Sequence, residues 1–233
     1  FSFQRKIKQT QYIRNFSKRI SHCFNSFNLI QLIDTYHTIN NSYSATYKDK
    51  GSKFLAFAHH ITNAEEVKIL IEQYRKDARF KGACHFCYAY KLGTNNNFRS
   101  SDDGEPSGTA GKPILNQIES FKLSDVIVIV VRFFGGTLLG TSGLIQAYKQ
   151  AAIDCLSLAE PIEVILRNDL CITFSYNLQS EVDRMLKVYD IVFEERSFTE
   201  QINYKLKIKS GELPLLLESI KKSAISNLIK INE

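Results

Sequence analysis

Six consecutive β-branched residues, Val126-Ile127-Val128-Ile129-Val130-Val131, run without a polar break. Such a run reads as a buried strand, extending through Arg132 to Phe134. It is the longest apolar run in the chain and falls far short of the ~18 residues that a membrane-spanning helix requires. A glycine loop, Gly135-Gly136-Thr137-Leu138-Leu139-Gly140, follows at once. Beyond it Leu144, Ala147, Tyr148, Ala151, Cys155 and Leu158 recur at helical spacing, and the helix stops before Pro161. A strand, a glycine loop and a helix in that order can present backbone donors to a phosphate. The same order also serves as a tight crossover that needs close backbone approach.

The segments around this unit alternate strand and helix. Residues 43–60 alternate about Lys50-Gly51 and read as a hairpin. Thr62 with Glu65 suggests a capping box, and Val67, Leu70, Ile71, Tyr74 and Ala78 form the buried stripe of the helix behind it. Residues 83–92 and 98–101 read as strands, with a turn at 93–97. The long loop Asp102-Asp103-Gly104-Glu105-Pro106-Ser107-Gly108-Thr109-Ala110-Gly111-Lys112-Pro113 leads to a short helix starting near Pro113. After Pro161 the texture changes, with one Gly and one Pro in residues 164–232. Strand 170–174, helix 178–189, strands 191–197 and 202–209, and helix 213–224 make a small ferredoxin-like βαββα unit. The chain is α+β, with domains expected at 33–162 and 163–233.

Charge is unevenly distributed. Residues 1–33 hold six basic side chains and no acid, so the remaining 200 residues carry 24 basic and 24 acidic groups. The body has no global basic footprint of the kind that dominates non-specific nucleic-acid binding, and any RNA surface on it must be local. Residues 1–32 read as a disordered or non-native basic extension. Five cysteines, an odd count scattered at 23, 84, 87, 155 and 171, point to a reducing compartment rather than a disulfide framework.

Two clusters could carry chemistry. Cys84-His85-Phe86-Cys87 lies in a strand, where alternation places the thiols on opposite faces and His85 on the face of Cys87. That geometry is poor for zinc or a redox disulfide, and His85 is left as a candidate base. The 102–113 loop meets neither the calcium-loop nor the P-loop frame. Its backbone N–H groups could face an anion, or its carboxylates could hold the loop together by accepting hydrogen bonds. Arg99, Lys112 and Arg132 are the cations near the two glycine loops, and with Ser107, Thr109, Gly135 and Gly136 they form the expected anion or nucleic-acid site. Asp102, Asp103 and Glu105 would order the loop or hold a divalent cation such as Mg²⁺.

The combination of Tyr47, Gly51-Ser52-Lys53-Phe54, His85-x-Cys87-Tyr88-Ala89-Tyr90, the stretch 102–113, Arg132-Phe133-Phe134-Gly135-Gly136 and Leu139-Gly140-x-x-Gly143-Leu144 resembles the YigZ/IMPACT family, over residues 33–233. The resemblance implies a first domain of ribosomal-protein-like fold, shared with one domain of elongation factor G. It implies a second domain resembling the last domain of that factor, as in the bacterial branch. Eukaryotic members act in translational control by binding a general-control activator and restraining an initiation-factor kinase. Phe133 and Leu138 stand where the family carries Tyr and Lys, and loss of that lysine removes a phosphate-pairing charge.

Three functions follow as expectations. The first is a cytoplasmic, translation-associated regulator that binds RNA or the ribosome through the glycine-loop anion site. The second is an Mg²⁺-dependent enzyme or binder acting on a phosphorylated small molecule, with His85 or Asp102 as base. The third is a protein-binding scaffold. None of them involves a membrane.

Overall fold

The computed structural model describes residues 34–232, Asn96 apart, so the basic segment 1–32 lies outside the described residues. The β-branched run forms strand β6, Val126–Phe133, at the centre of a five-stranded sheet. Its neighbours are β2 (Tyr43–Asp49), β3 (Ser52–His60), β4 (His85–Leu92) and β5 (Asn97–Ser101), in the order β2-β3-β6-β4-β5. Every pairing in this sheet is antiparallel. The run is unbroken because both faces of β6 are covered. Val126, Val128 and Val130 pack under helices α2 (Gly111–Ser120) and α3 (Gly140–Leu156). Ile127, Ile129 and Val131 pack on the other face, with Val67, Leu70 and Ile71 of helix α1 (Ala64–Lys76). Ala56 and Ala58 of β3 share this core with Ala147, Ala151 and Ala152 of α3, and these small side chains let the helix sit close.

Local signals were displaced by a residue or two in several places. The cap of α1 is Asn63, whose side chain accepts from the Glu65 and Glu66 N–H groups, while Glu66 rather than Glu65 reaches back to Thr62. Ala78 of the expected stripe lies beyond α1 in a 3₁₀ turn. Helix α2 begins at Gly111, two residues before Pro113, because Asp102 takes the place of a local cap. Leu158, on the expected stripe of α3, lies past its end and is exposed.

Strands β1 (Thr35–Ile39) and β7 (Pro161–Ile165) form a separate antiparallel pair that no sequence pattern announced. The Leu166 N–H donates to the Asp34 carbonyl at 2.7 Å. From there β8 (Arg167–Phe174), α4 (Gln179–Leu186), β9 (Ile191–Phe198), β10 (Ile202–Lys209), α5 (Leu213–Lys222) and β11 (Lys230–Asn232) build a four-stranded antiparallel sheet in the order β11-β8-β10-β9. Ile202, Tyr204, Leu206 and Ile208 alternate into its core, where they meet Val182, Leu186 and Leu216. Strand β11 extends the expected βαββα order by one element. Among the described residues no helix is long and apolar enough to cross a membrane.

The β2–β3 turn and the end of β6 touch backbone to backbone. A Cβ on Gly135 would overlap the Gly51 carbonyl carbon and the Ser52 nitrogen, whereas one on Gly136 would meet open space. Gly136 has φ +84°, so its substitution is strained only by backbone conformation. Gly136→Ala is therefore expected to lower stability by about 1 kcal/mol, and Gly135→Ala by about 3 kcal/mol or more. Urea unfolding of both variants checks this, and equal losses would contradict the packing role of Gly135.

Candidate functional site

The acidic-glycine loop distributes its three carboxylates among three different tasks. Asp102 accepts from the N–H groups of Gly108, Ala110 and Gly111 at 2.8–2.9 Å. Burial acts to raise its pKa, but these three donors outweigh it and hold the carboxyl below its usual range. The donors at the start of α2, which could have faced an external anion, therefore face Asp102. The Asp103 carboxylate accepts from the Phe86 N–H at 2.6 Å and pairs with Arg75. Left-handed backbone at Asp103 and Gly104 turns the chain back toward β4. Glu105 is then buried against the end of β6. Its Oε1 accepts from Arg132 Nη1 at 2.6 Å and from the Tyr148 hydroxyl at 2.7 Å.

The Glu105–Arg132 pair is 8% and 6% exposed. At that burial, removing one partner strands the other charge, at a cost of roughly 3–5 kcal/mol. Tyr148, on α3, completes the network. Burial pushes its phenol and the Cys87 thiol well above their usual pKa values. The Cys87 sulfur lies 3.0 Å from the Asp102 carbonyl and 3.3 Å from the Tyr148 hydroxyl. Cys84 is exposed and Cys87 buried, so the two thiols do not converge.

His85 pairs across the sheet with Arg132 and shares its face. Its Nδ1 lies 2.8 Å from the Asp103 carbonyl. A carbonyl can only accept, so Nδ1 carries the proton and Nε2 is the nitrogen turned toward Glu105, 3.9 Å from Oε1. His85, Glu105 and Arg132 floor a cleft of about 440 Å³. Phe134, Leu138, Leu139, Leu144 and Pro106 form its apolar walls, and Gly140 and Thr141 bring the first turn of α3 to its edge. No side chain caps α3, and its first turn has no acidic residue. The end of a helix carries about half a positive charge, which is worth at most ~2 kcal/mol to an anion. Arg132 Nε is buried and has no hydrogen-bond partner among the described residues.

The expected site residues are thus partly gathered and partly scattered. His85, Glu105 and Arg132 meet in the cleft, but Arg132 already shares its charge with Glu105. Arg99 is exposed on β5 opposite Tyr90, on the α1 side of the sheet. Lys112 and Ser107 are exposed outside the cleft lining, and the Thr109 hydroxyl is turned inward to the Pro106 carbonyl. Gly135 serves the contact with Gly51, and Gly136 is exposed. Asp102, Asp103 and Glu105 diverge, and among the described residues no cluster of three or more His, Cys, Asp or Glu side chains is placed to hold a metal ion. Sequence reasoning missed Tyr148 and Thr141. Tyr148 stood in the core stripe of α3, and the signal available was its hydroxyl, which must find a partner when buried.

Every residue lining the cleft falls within residues 50–156, the segment that matches the family model of the Impact N-terminal domain. An IMPACT family member from Thermus thermophilus is 32% identical over 160 residues, covering 69% of this chain and 86% of that protein. The IMPACT family member YigZ of Escherichia coli is 40% identical over 102 residues, 42% of this chain and 49% of that one. A crystal structure of a hypothetical protein matches with a TM-score of 0.61 at 23% identity, over 86% of this chain and 97% of the other. The chain belongs to the YigZ/IMPACT family.

Asp102 offers a direct test of the loop. Its folded pKa is depressed, so its stabilisation is present above the unfolded value of about 3.9 and is lost as pH falls through the folded value. Asp102→Asn is expected to cost about 1.5–3 kcal/mol near neutral pH, with a gap from the parent that narrows below pH ~4. Denaturant unfolding across pH measures it, and a gap that does not change with pH would contradict the charge-assisted role.

Proposed function

We propose that this chain is a cytoplasmic, translation-associated regulator that binds RNA or the ribosome through the cleft between the acidic-glycine loop and α3. One observation carries the reading: the uncapped first turn of α3 and the Arg132 side chain line the same cleft. Membership of a family whose eukaryotic members act in translational control supports the cellular setting. The anion site differs from the one expected. It draws on the second glycine loop and the helix after it, because the Gly108, Ala110 and Gly111 N–H groups of the first loop are taken by Asp102.

The fold supports the same placement by analogy. The order β8-α4-β9-β10-α5-β11, with its 4-1-3-2 sheet, fits the ferredoxin-like reading of the second part. Separate apolar cores on either side of β7 support a division near residues 161–165. The likeness to elongation factor G rests on the family resemblance and is an analogy of fold.

Co-sedimentation of the full chain with ribosomes, at low and moderate salt and with or without nuclease, tests the reading. Pelleting that weakens steeply with salt is expected. Thr141→Asp sets a carboxylate at the start of α3, where it suits the helix and competes with a bound anion. This variant is expected to keep its melting temperature and lose pelleting. A parent protein that stays in the supernatant at low salt would overturn the proposal.

A further inference from the structure

We infer that the occupant of the cleft is a nucleoside phosphate unit, with its phosphate at the first turn of α3 and its base against Phe134. This rests on the reading of the cleft as an anion site and names the chemistry that the site selects.

The floor alone does not make a strong phosphate site. Glu105 cancels the charge of Arg132, which leaves the N–H groups of α3 and the part of the Arg132 guanidinium that Glu105 does not hold as the attraction. A bare phosphate would use only that end. It would leave Phe134, 48% exposed, and Leu138, 85% exposed, in water beside it. An exposed aromatic ring next to a cleft offers a face on which any base can stack. The Arg132 guanidinium lies 5.8 Å from the centre of that ring, so one side chain borders both the phosphate end and the base end. Both hydrogen bonds to Glu105 fall on Oε1, so Oε2 remains an acceptor for a base N–H. The volume, about 440 Å³, lies within the roughly 300–1,000 Å³ range of small-molecule sites. The same unit could come as a free nucleotide or as one residue of a single-stranded RNA.

The chain contains no Trp, so Phe134→Trp introduces a single fluorescent reporter and keeps a stacking surface. The full chain carrying it would be titrated with AMP, UMP, adenosine, inorganic phosphate and a short single-stranded RNA. Quenching by AMP and UMP is expected, with adenosine and phosphate each at least about tenfold weaker. Adding Thr141→Asp is expected to weaken nucleotide binding about tenfold without lowering the melting temperature. RNA that binds at least about tenfold more tightly than AMP identifies a strand as the source, and equal affinities identify the free nucleotide. Adenosine or phosphate binding as well as AMP overturns the inference, as does an absence of quenching at millimolar nucleotide. Nucleotide binding without ribosome pelleting would sink the translational reading alone. Thr141-dependent pelleting without nucleotide binding would sink this inference alone.

Discussion

Glu105 and Arg132 form a buried ion pair at the end of the central strand, and much of the surrounding loop architecture serves to hold it together. Burying two charges costs several kcal/mol per ion unless geometry and further hydrogen bonds compensate. Here Tyr148 adds a second donor to the carboxylate, and the rings of Phe54 and Phe134 flank the guanidinium at 5.5 and 5.8 Å. Glu105 reaches this position only because the loop before and after it is fixed. Asp102 ties the loop to the start of α2, and Asp103 ties it to β4 and Arg75.

The pair also sets the character of the cleft. A free arginine beside an open helix N-terminus would bind anions with little selectivity. Because its Nη1 is held by Glu105, Arg132 contributes direction more than net charge. In the proposed site the remaining attraction would come from α3, and the apolar walls would supply contact area that a phosphate alone would not use. The proposed site would discriminate by shape and stacking as well as by charge, in keeping with a body that carries no net charge beyond its first 33 residues.

Much of the fold was legible because burial imposed period. The unbroken run in β6 required cover on both faces, the alternation about Lys50-Gly51 gave the hairpin, and the stripe Leu144–Cys155 gave α3. The opposite faces of Cys84 and Cys87 followed from strand alternation alone. Strands β1, β7 and β11 were not legible, because each is no more than five residues long and takes its order from a distant partner. The site was legible in its residue types and not in its pairings. Nothing in the spacing of Asp102, Asp103 and Glu105 states which would meet backbone N–H groups and which would meet Arg132. Those partners are set by left-handed turns at Asp103, Gly104 and Gly108, and by where α3 places Tyr148.

A double-mutant cycle on Glu105 and Arg132 tests whether this ion pair organises the cleft. Glu105→Gln, Arg132→Met and the double variant would be compared with the parent by denaturant unfolding. Each single variant strands a buried group, so the double variant is predicted to be more stable than the sum of the singles allows, by about 2–3 kcal/mol of coupling. Losses that add within about 0.5 kcal/mol would show that the two side chains act independently, and would contradict the pair as the organising contact of the cleft.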